Sequence, residues 1–289
     1  MKCIQNLVDS SFDPEHAEQY RLSVQFRPDG FSFCLFHPET KRFVALSDYR
    51  IQFRQHSGTP RWEKLSDKFN ATFRNLEIIQ LPFGKTDLAF SSPKLTLVPE
   101  ALLREGSADR YFKFNHNLEP TEQIISQPLV NEAMSAMFAL PFPVGRLGEV
   151  WFAGVKPGSS CSCLLRTLLK SGRLEQFRKV YLNVWGGFFD LAVLQDGKLL
   201  YFNTFRQQSA EDLLYYVIFV LEQLGLVPGE EKITLLGDIT ADSPEFKLLY
   251  QYIQSLEFAG KNIEAEFSPF LSDVPFHKYF TLFNLPFCE

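Results

Sequence analysis

KVYLNVWGGFFDLAVLQDGKLLYFNTFR, residues 179–206, contains three apolar segments separated by a Gly-Gly and an Asp-Gly dipeptide. Glycine adopts the positive φ that two-residue hairpin turns require, and Asp-Gly is among the strongest hairpin signals. Short apolar runs bounded by such turns are typical of β-strands. We therefore predict strands over 179–184, 188–194 and 199–205, paired as an antiparallel meander.

A helix is predicted directly after this meander. Ser209 is a favoured N-cap residue and Gly225 a favoured C-terminal cap, and the apolar residues between them recur at helical spacing. A short strand over 232–236 and a helix over 244–256 follow. The second half of the chain is thus predicted to run strand, strand, strand, helix, strand, helix.

The first half of the chain shows the same order of elements. Strands are predicted over 21–26, 31–36 and 43–49, a helix begins near Pro60, and a further strand spans 94–98. The residues of the two halves differ, so the similarity lies in topology. Two interpretations stay open: an old duplication of one βββαβ unit, or the chance occurrence of two common meanders.

The segment 141–145, Pro-Phe-Pro-Val-Gly, interrupts the pattern between the two halves. We predict an α/β protein with two domains, 1–150 and 151–289, the second carrying a Phe-rich C-terminal tail. Each domain is expected to contain a mixed sheet flanked by helices, since sheets of this kind bury their faces under helices. The two domains are expected to meet at a cleft.

The composition is that of an ordinary globular protein: 289 residues, 45% hydrophobic and 22% charged, with a net charge of −5. Nothing in it indicates nucleic acid or an anionic membrane as a partner. The N-terminus lacks a secretory signal, and the longest apolar run, 213–221, falls short of the roughly 20 residues of a bilayer span. We therefore expect a cytoplasmic protein with no membrane span and with reduced, scattered cysteines.

Phenylalanine is unusually frequent, with 30 residues against 3 Trp and 10 Tyr. Many of the rings fall between Phe258 and Phe287, spaced by prolines that exclude a long helix there. Two interpretations stay open for this tail. Its rings either cover the core of the second domain or form an apolar surface for contact with a partner or a second copy.

Two further motifs lack the spacing of known sites. Cys161-Ser-Cys163 has no second cysteine pair with which to complete a zinc site. The loop from Gly154 to Ser160 lacks the lysine of a P-loop. Both are interpreted as parts of a helix start.

The order of meander, helix, strand and helix, present twice, resembles the actin-like ATPase fold of sugar kinases, heat-shock chaperones and actin. The second half is most similar to the pilus-assembly and type II secretion branch, through its turn glycines Gly187 and Gly197, the helix end at Gly225, and Gly237. The chain also resembles an uncharacterised bacterial family, chiefly from Bacteroidetes, with this fold. The resemblance covers roughly residues 18–266 and implies duplicated RNase H-like domains.

In active members of this fold, two hairpin turns cradle the phosphates, and an acidic residue at the end of each first strand holds Mg²⁺ through water. The resemblance places these positions at or near Gln25 and Asn183, which are amides. An amide offers a neutral oxygen but no charge to offset the metal. Pro28 also removes one backbone N–H from the first turn.

The remaining residues of the cleft follow from the same resemblance. Gly30 belongs to the first phosphate turn, and Gly186 and Gly187 form the second, where their N–H groups are available to a phosphate. Gly237 and Asp238 occupy the place of the glycine pair in the family's adenosine loop. Asp238 would therefore put a carboxylate where the nucleotide lies.

Asp29 and Asp190 are the two carboxylates that could take over the missing acidic roles. The alternative for Asp29 is a purely turn-forming role, because aspartate favours tight turns. The alternative for Asp190 is a solvated or hydrogen-bonded position in its strand.

These departures favour a catalytically degenerate actin-like scaffold that binds a protein partner or a second copy of itself. The alternative is an ATP-binding protein with weak ATPase or kinase activity in the interdomain cleft. We expect no catalytic residue, metal or resident cofactor, and at most weak binding of ATP or phosphate. Nucleic acid is not expected as a partner.

Overall fold

The computed structural model describes residues 1–51, 62–103, 108–129, 133–172, 177–261 and 264–288. Contacts divide the chain into two units. Unit 1 comprises Met1–Leu164, Asn262–Val274 and Thr281–Glu289, and unit 2 comprises Leu165–Lys261 and Pro275–Phe280. The predicted boundary between residues 150 and 151 stays a prediction. The contacts change unit after Leu164, and two stretches of the tail group with unit 1.

The strands of the described residues group into three sheets, with helices between them. The strands are, in chain order, β1 (Lys2–Val8), β2 (Arg21–Arg27), β3 (Gly30–His37), β4 (Arg42–Arg50), β5 (Lys85–Phe90), β6 (Leu95–Pro99), β7 (Glu122–Leu129), β8 (Met134–Pro141), β9 (Gly158–Ser159), β10 (Lys179–Trp185), β11 (Phe188–Gln195), β12 (Lys198–Arg206), β13 (Lys232–Gly237), β14 (Ser255–Phe258) and β15 (Glu266–Phe267). The α-helices are α1 (Trp62–Phe73), α2 (Ala108–Asn115), α3 (Phe142–Trp151), α4 (Ser160–Gly172), α5 (Ala210–Gln223), α6 (Pro244–Tyr250) and α7 (Phe280–Asn284).

The first sheet, in unit 1, has the strand order β1-β4-β3-β2-β5-β9. Its strands β2, β3 and β4 pair antiparallel, as the predicted meander requires. β5 pairs parallel with β2, and β9 pairs parallel with β5. β1 extends the sheet beyond β4, and β15 pairs with β4 from the C-terminal part of the chain.

The second sheet, in unit 2, has the strand order β12-β11-β10-β13-β14. Here too the meander is antiparallel and the last two strands run parallel to its first strand. The path β4-β3-β2-β5-β9 of the first sheet repeats this order and these directions. The two meanders lie in separate mixed sheets, which confirms the predicted α/β fold with a duplicated architecture.

Two elements differ from the prediction. The strand that completes the first copy is β5 rather than 94–98, and β6 belongs instead to a third sheet of order β6-β8-β7. The helix predicted over 244–256 ends at Tyr250, after which Ser255–Phe258 forms β14. β14 is the outer parallel strand of the second sheet, so a sequence stretch assigned to a helix completes the fold.

The core of unit 1 consists largely of phenylalanine rings between the first sheet and α1. Phe26 and Phe31 on the sheet contact Phe69 and Phe73, one turn apart on the helix. The ring centroids of Phe26 and Phe69 lie 5.6 Å apart, and those of Phe31 and Phe73 lie 4.7 Å apart. All four side chains are fully buried, and each contributes about 1.5–3 kcal/mol through the hydrophobic effect.

The aromatic tail packs against other residues of the same sheet. Phe43 contacts Phe267 and Phe283 at centroid distances of 5.1 and 4.9 Å, and Phe36 contacts Phe287 at 5.1 Å. The interpretation that the tail covers the core of the second domain is therefore wrong for these three rings. They are partners of the first meander, which explains why these parts of the tail group with unit 1.

The core of unit 2 lies between the second sheet and the helices α5 and α6. Leu213, Val217 and Leu221 are spaced four residues apart on α5, so they form one stripe along the helix. This stripe packs against apolar strand residues such as Leu182 and Leu191. Ser209 caps α5 by accepting a hydrogen bond from the backbone N–H of Asp212, as its sequence position predicts.

Two observations bear on the expected environment of the chain. Cys163 in α4 and Cys288 beyond α7 form a disulfide, with Cα atoms 5.6 Å apart, so the expectation of reduced cysteines does not hold for this pair. Cys34 and Cys161 are buried and do not belong to a disulfide. Within the described ranges, no helix has the length and apolar character needed to cross a bilayer.

Candidate functional site

Gln25, the first of the two residues predicted at the metal-binding positions, is buried near the end of β2. Its side-chain Nε2 donates a hydrogen bond to Ser91 Oγ at 3.2 Å, and Ser91 Oγ donates in turn to Ser160 Oγ at 3.1 Å. Ser91 follows β5 and Ser160 begins α4, so this chain of hydrogen bonds joins the end of β2, the end of β5 and the start of α4. The amide of Gln25 is thus used within the protein.

The turn after β2 is closed by ion pairs. Asp29 binds the guanidinium of Arg50 through Oδ2, and its Oδ1 lies 3.6 Å from Arg27 Nε. Gly30 follows, and a Cβ atom there would lie 2.0 Å from the carbonyl oxygen of Tyr49. Only glycine fits at this point, because the neighbouring strand passes so close to the turn.

Beneath this turn lies a buried carboxylate, Asp48. Arg27 Nη2 donates to its Oδ1 at 3.1 Å, Arg50 Nε at 2.9 Å, and Ser32 Oγ at 3.0 Å. Burial raises the pKa of Asp48, but the two guanidinium groups outweigh this cost and hold its pKa below the ordinary value. Two arginines and two aspartates balance one another here, so Asp29 is part of a closed ionic network.

Asn183, the second of the two residues predicted at the metal-binding positions, lies in β10 opposite Asp190 of β11. Asn183 Nδ2 and Trp185 Nε1 each donate a hydrogen bond to Asp190 Oδ2 at 2.9 Å. Thr204 Oγ1, on the neighbouring strand β12, donates to Asp190 Oδ1 at 2.7 Å. The three strands of the meander thus meet at one carboxylate, and both of its oxygens are engaged.

The pKa of Asp190 is unusually high for an aspartate. Burial raises its pKa to about 6, and the hydrogen bonds from Thr204, Asn183 and Trp185 oppose this shift. Burial dominates because a charged carboxylate loses its hydration and no cation is among the groups that act on it. A pKa of about 6 places the change of charge of Asp190 about two pH units above that of an ordinary aspartate. A group of this kind is a candidate for function or for pH sensing.

The turn and the loop near Asp190 carry the predicted glycines. Gly186 and Gly187 have φ of 50° and 82° and form the two-residue turn between β10 and β11. Gly237, at φ 80°, ends β13, and a Cβ there would lie 2.0 Å from Val184 O and 2.9 Å from Asn183 Oδ1. Asp238 follows it, with its carboxylate 3.9 Å from Lys278 Nζ. The structure therefore brings Gly237 beside Asn183.

The two hairpins provide few available ligands for the magnesium ion of a bound nucleotide. Both predicted metal positions are amides with intramolecular partners, and the nearby carboxylates Asp29 and Asp190 are held by arginines or by three hydrogen-bond donors. In the part of the chain that the structure describes, no three His, Cys, Asp or Glu side chains converge as metal ligands. Magnesium is usually held through one or two carboxylates together with water and phosphate, so the amides of Gln25 and Asn183 do not fit this ion.

The sequence analysis did not identify the residues that form hydrogen bonds with Gln25 and Asp190. Ser91 and Ser160 hold Gln25, while Trp185 and Thr204 hold Asp190. Trp185 gave a signal that could have been used, since it is two residues from Asn183 and therefore on the same face of a strand. Ser91, Ser160 and Thr204 gave none, because their contacts depend on the register between strands.

Two solved structures confirm the predicted resemblance to the actin-like ATPase fold. A Bacteroides thetaiotaomicron protein with actin-like ATPase fold and unknown function aligns over 88% of this chain and 97% of its own, with a TM-score of 0.75 and 20% identity. A chain of the PilM–PilN type IV pilus biogenesis complex aligns over 93% of this chain and 98% of its own, with a TM-score of 0.60 and 12% identity. At such identities the likeness shows the fold.

A comparison with the curated proteins finds no match. A family model, in contrast, matches residues 9–256 and so spans both duplicated sheets. That family is described as a protein of unknown function. The chain belongs to the DUF3822 family.

Proposed function

We propose that this protein is a catalytically degenerate actin-like scaffold that binds a protein partner or a second copy of itself. The observation that carries the proposal is the state of the two hairpins. Gln25 and Asn183 are the residues that the family resemblance predicts at the positions of the metal-binding acids, and their amides donate hydrogen bonds to Ser91 and Asp190. A scaffold needs the fold but not the metal site.

The loss of charge at these positions weighs against phosphoryl transfer. That reaction depends almost wholly on positioning and on offsetting the phosphate charge with metal ions and donors. Removing one electrostatic contact of this type costs roughly 100–1000-fold in rate. In this chain the first turn also carries its own anion, because Asp29 occupies the guanidinium of Arg50. A phosphate approaching the turn would have to compete with that aspartate.

The fold relatives support a binding role. One of them is a chain of the PilM–PilN type IV pilus biogenesis complex, so a chain with a similar fold occurs in a complex with another protein. We extend this to the present chain as a class of function. The identity of the partner does not follow from the likeness.

The alternative, an ATP-binding protein with weak ATPase or kinase activity, rests on one specific observation. Asp190 is a carboxylate one strand away from the expected metal position, next to the turn formed by Gly186 and Gly187. If Asn183 and Thr204 released it, Asp190 could serve as a relocated acid. In its weakest version, this alternative function consists of weak binding of ATP or phosphate without turnover.

Calorimetric titration with ATP, with and without Mg²⁺, together with a sensitive phosphate-release assay, separates the two. The scaffold proposal expects no magnesium-dependent turnover above background. Turnover that is abolished by Asp190→Asn or by Asp29→Asn would overturn it and establish the alternative. Asp196→Asn, in the exposed turn between β11 and β12, is the matched control, because it removes an aspartate of the same hairpin outside the site.

The binding role has its own test. The tagged full chain is purified from its native cell with chemical cross-linking, and sedimentation analysis at micromolar concentration measures self-association. A saturable partner or a defined oligomer supports the scaffold. A strict monomer that retains no specific protein would refute it.

Residence in the cytoplasm is part of the proposal. The Cys163–Cys288 disulfide counts against it, because cytosolic glutathione and thioredoxin keep thiols reduced. Acid quenching of intact cells, followed by alkylation of the denatured protein and mass spectrometry, decides the question. Alkylated Cys163 and Cys288 support the cytoplasm, and an unreactive pair indicates an oxidising compartment.

A further inference from the structure

A groove of about 400 Å³ lies between α1 and α3 in unit 1, and its lining includes no residue of the turn after β2. The α1 wall carries Glu63, Asp67 and Asn70, which recur at spacings of four and three and therefore share one helix face. The α3 wall carries Arg146 and Val150, also four residues apart. Two side-chain stripes thus face each other across the groove.

The walls of the groove are fixed by hydrogen bonds between the two helices. Ser66 Oγ donates to the carbonyl oxygen of Pro143 at 3.1 Å near one end. Trp151 Nε1 donates to Asn70 Oδ1 at 2.6 Å near the other end. A groove held open in this way does not have to be ordered when a ligand enters, which lowers the entropic cost of binding.

The α3 side of the groove is apolar and accessible. Leu147 lies at its base and is 1% exposed, whereas Phe142 and Val150 at its edge are 48% and 68% exposed. Apolar side chains that are exposed together at the edge of a groove are typical of a site of interaction. An open rim of this kind suits a side chain that enters from a partner better than a small molecule that is enclosed.

The polar part of the groove carries unused charge. Glu63 and Asp67 lie on the α1 wall and Arg146 on the α3 wall. No ion pair or hydrogen bond of these three side chains occurs within the described part of the chain. The groove therefore presents two free carboxylates one helical turn apart and a single guanidinium, with a net negative charge.

We propose that this groove binds a short segment of a partner protein in which a large apolar side chain stands beside a lysine or arginine. The apolar side chain would cover Leu147 between Phe142 and Val150, and the cation would lie between Glu63 and Asp67. This assignment rests on the proposed scaffold function and specifies where the partner is held. Complementary charge selects such a segment over an acidic one.

Fluorescence polarisation with two labelled peptides tests the assignment on the full chain. The probe is the capped peptide Ser-Gly-Lys-Leu-Phe-Lys-Gly-Ser, and the control peptide replaces both lysines by glutamates. We expect saturable binding of the probe below about 1 mM. At low salt the acidic control should bind several-fold more weakly, and the difference should shrink at high salt because exposed charges are screened.

Two matched pairs of variants locate the binding. Asp67→Lys should reverse the order of the two peptides, whereas Glu77→Lys makes the same charge change at an exposed position outside the groove and should leave the order unchanged. Val150→Ser should weaken both peptides several-fold, and Leu102→Ser, at a half-exposed apolar residue elsewhere, should not. Circular dichroism confirms that each variant is folded.

Four results would overturn the assignment: no probe binding at about 1 mM, equal effects of Asp67→Lys and Glu77→Lys, retention of a native partner by Asp67→Lys, or a dimer of the chain that Asp67→Lys dissociates. The last result would make the occupant a second copy. A native partner that is still retained by Asp67→Lys removes the groove assignment but leaves the scaffold function intact. Magnesium-dependent ATP turnover, conversely, removes the scaffold function without affecting the peptide result.

Discussion

The carboxylate of Asp190 makes the stability of the protein depend on pH in an unusual direction. Its pKa is about 6 in the folded protein, against an ordinary value of 3.8. Between these values the folded state binds a proton that the unfolded state has lost, so the free energy of unfolding falls as the pH rises. At about 1.4 kcal/mol per pKa unit, the whole shift corresponds to roughly 3 kcal/mol, which is lost progressively as the pH rises from below 4 to about 7.

Asp190→Asn isolates this contribution. The amide has the shape of the carboxylic acid, and its oxygen can still accept from Asn183 and Trp185. Urea unfolding of both proteins at pH 4, 5, 6, 7 and 8 gives the difference in free energy of unfolding, in which the other titrating groups cancel. We expect the variant to gain roughly 2 kcal/mol relative to the wild type between pH 4 and 6, and to gain little more above pH 7.

Two variants of Thr204 test the cause of the shift. Thr204→Val removes the hydroxyl donor to Asp190 Oδ1 and should raise the pKa further, because that hydrogen bond favours the charged carboxylate. Thr204→Ser keeps the donor and should leave the pKa nearly unchanged. The ¹³C shift of the Asp190 carboxyl measures each pKa directly. A pKa below 4 in the wild type, or a stability difference independent of pH, would refute the dominance of burial.

Cys288→Ser should lower the free energy of unfolding by about 2–5 kcal/mol, as should reduction of the wild type, because the disulfide restrains a long loop of the unfolded chain. Gly237→Ala should cost more than about 2 kcal/mol in thermal unfolding, since its Cβ would clash with backbone at a positive φ; Gly229→Ala, in open space, should be nearly neutral. Asp48→Ala should cost about 3–5 kcal/mol by leaving the buried Arg27 without its carboxylate, and an unaltered urea midpoint would contradict that role.

The duplicated meander could be predicted because its signals are local. Alternating apolar residues and the turn glycines Gly30 and Gly187 determine strands and hairpins without long-range information. β5 escaped prediction for a physical reason. It begins Lys-Thr-Asp, and Asp87 is partly buried there because Arg21 Nη2 donates to it at 2.7 Å. The ion pair allows a polar sequence, which is typical of a loop, to lie in a strand of the sheet.

The sequence predicts which residue types occupy the candidate site, but it does not predict which side chains they contact. The amides at Gln25 and Asn183 can be read directly once the strand ends are known. Their partners depend on which strands become neighbours, and Ser160 comes from a helix far along the chain. The tail shows the same limit, since its prolines predict an irregular path but not that Phe283 meets Phe43.

The return of the tail to the first sheet sets an order of events during synthesis. A ribosome adds about 5–20 residues per second, so the stretch between Arg50 and Phe267 takes roughly 10–40 s to emerge. Until then Phe36 and Phe43 have none of the tail rings that cover them in the finished protein. The nascent chain therefore carries an uncovered apolar surface through most of its translation, and chaperones that bind such surfaces have that interval in which to act.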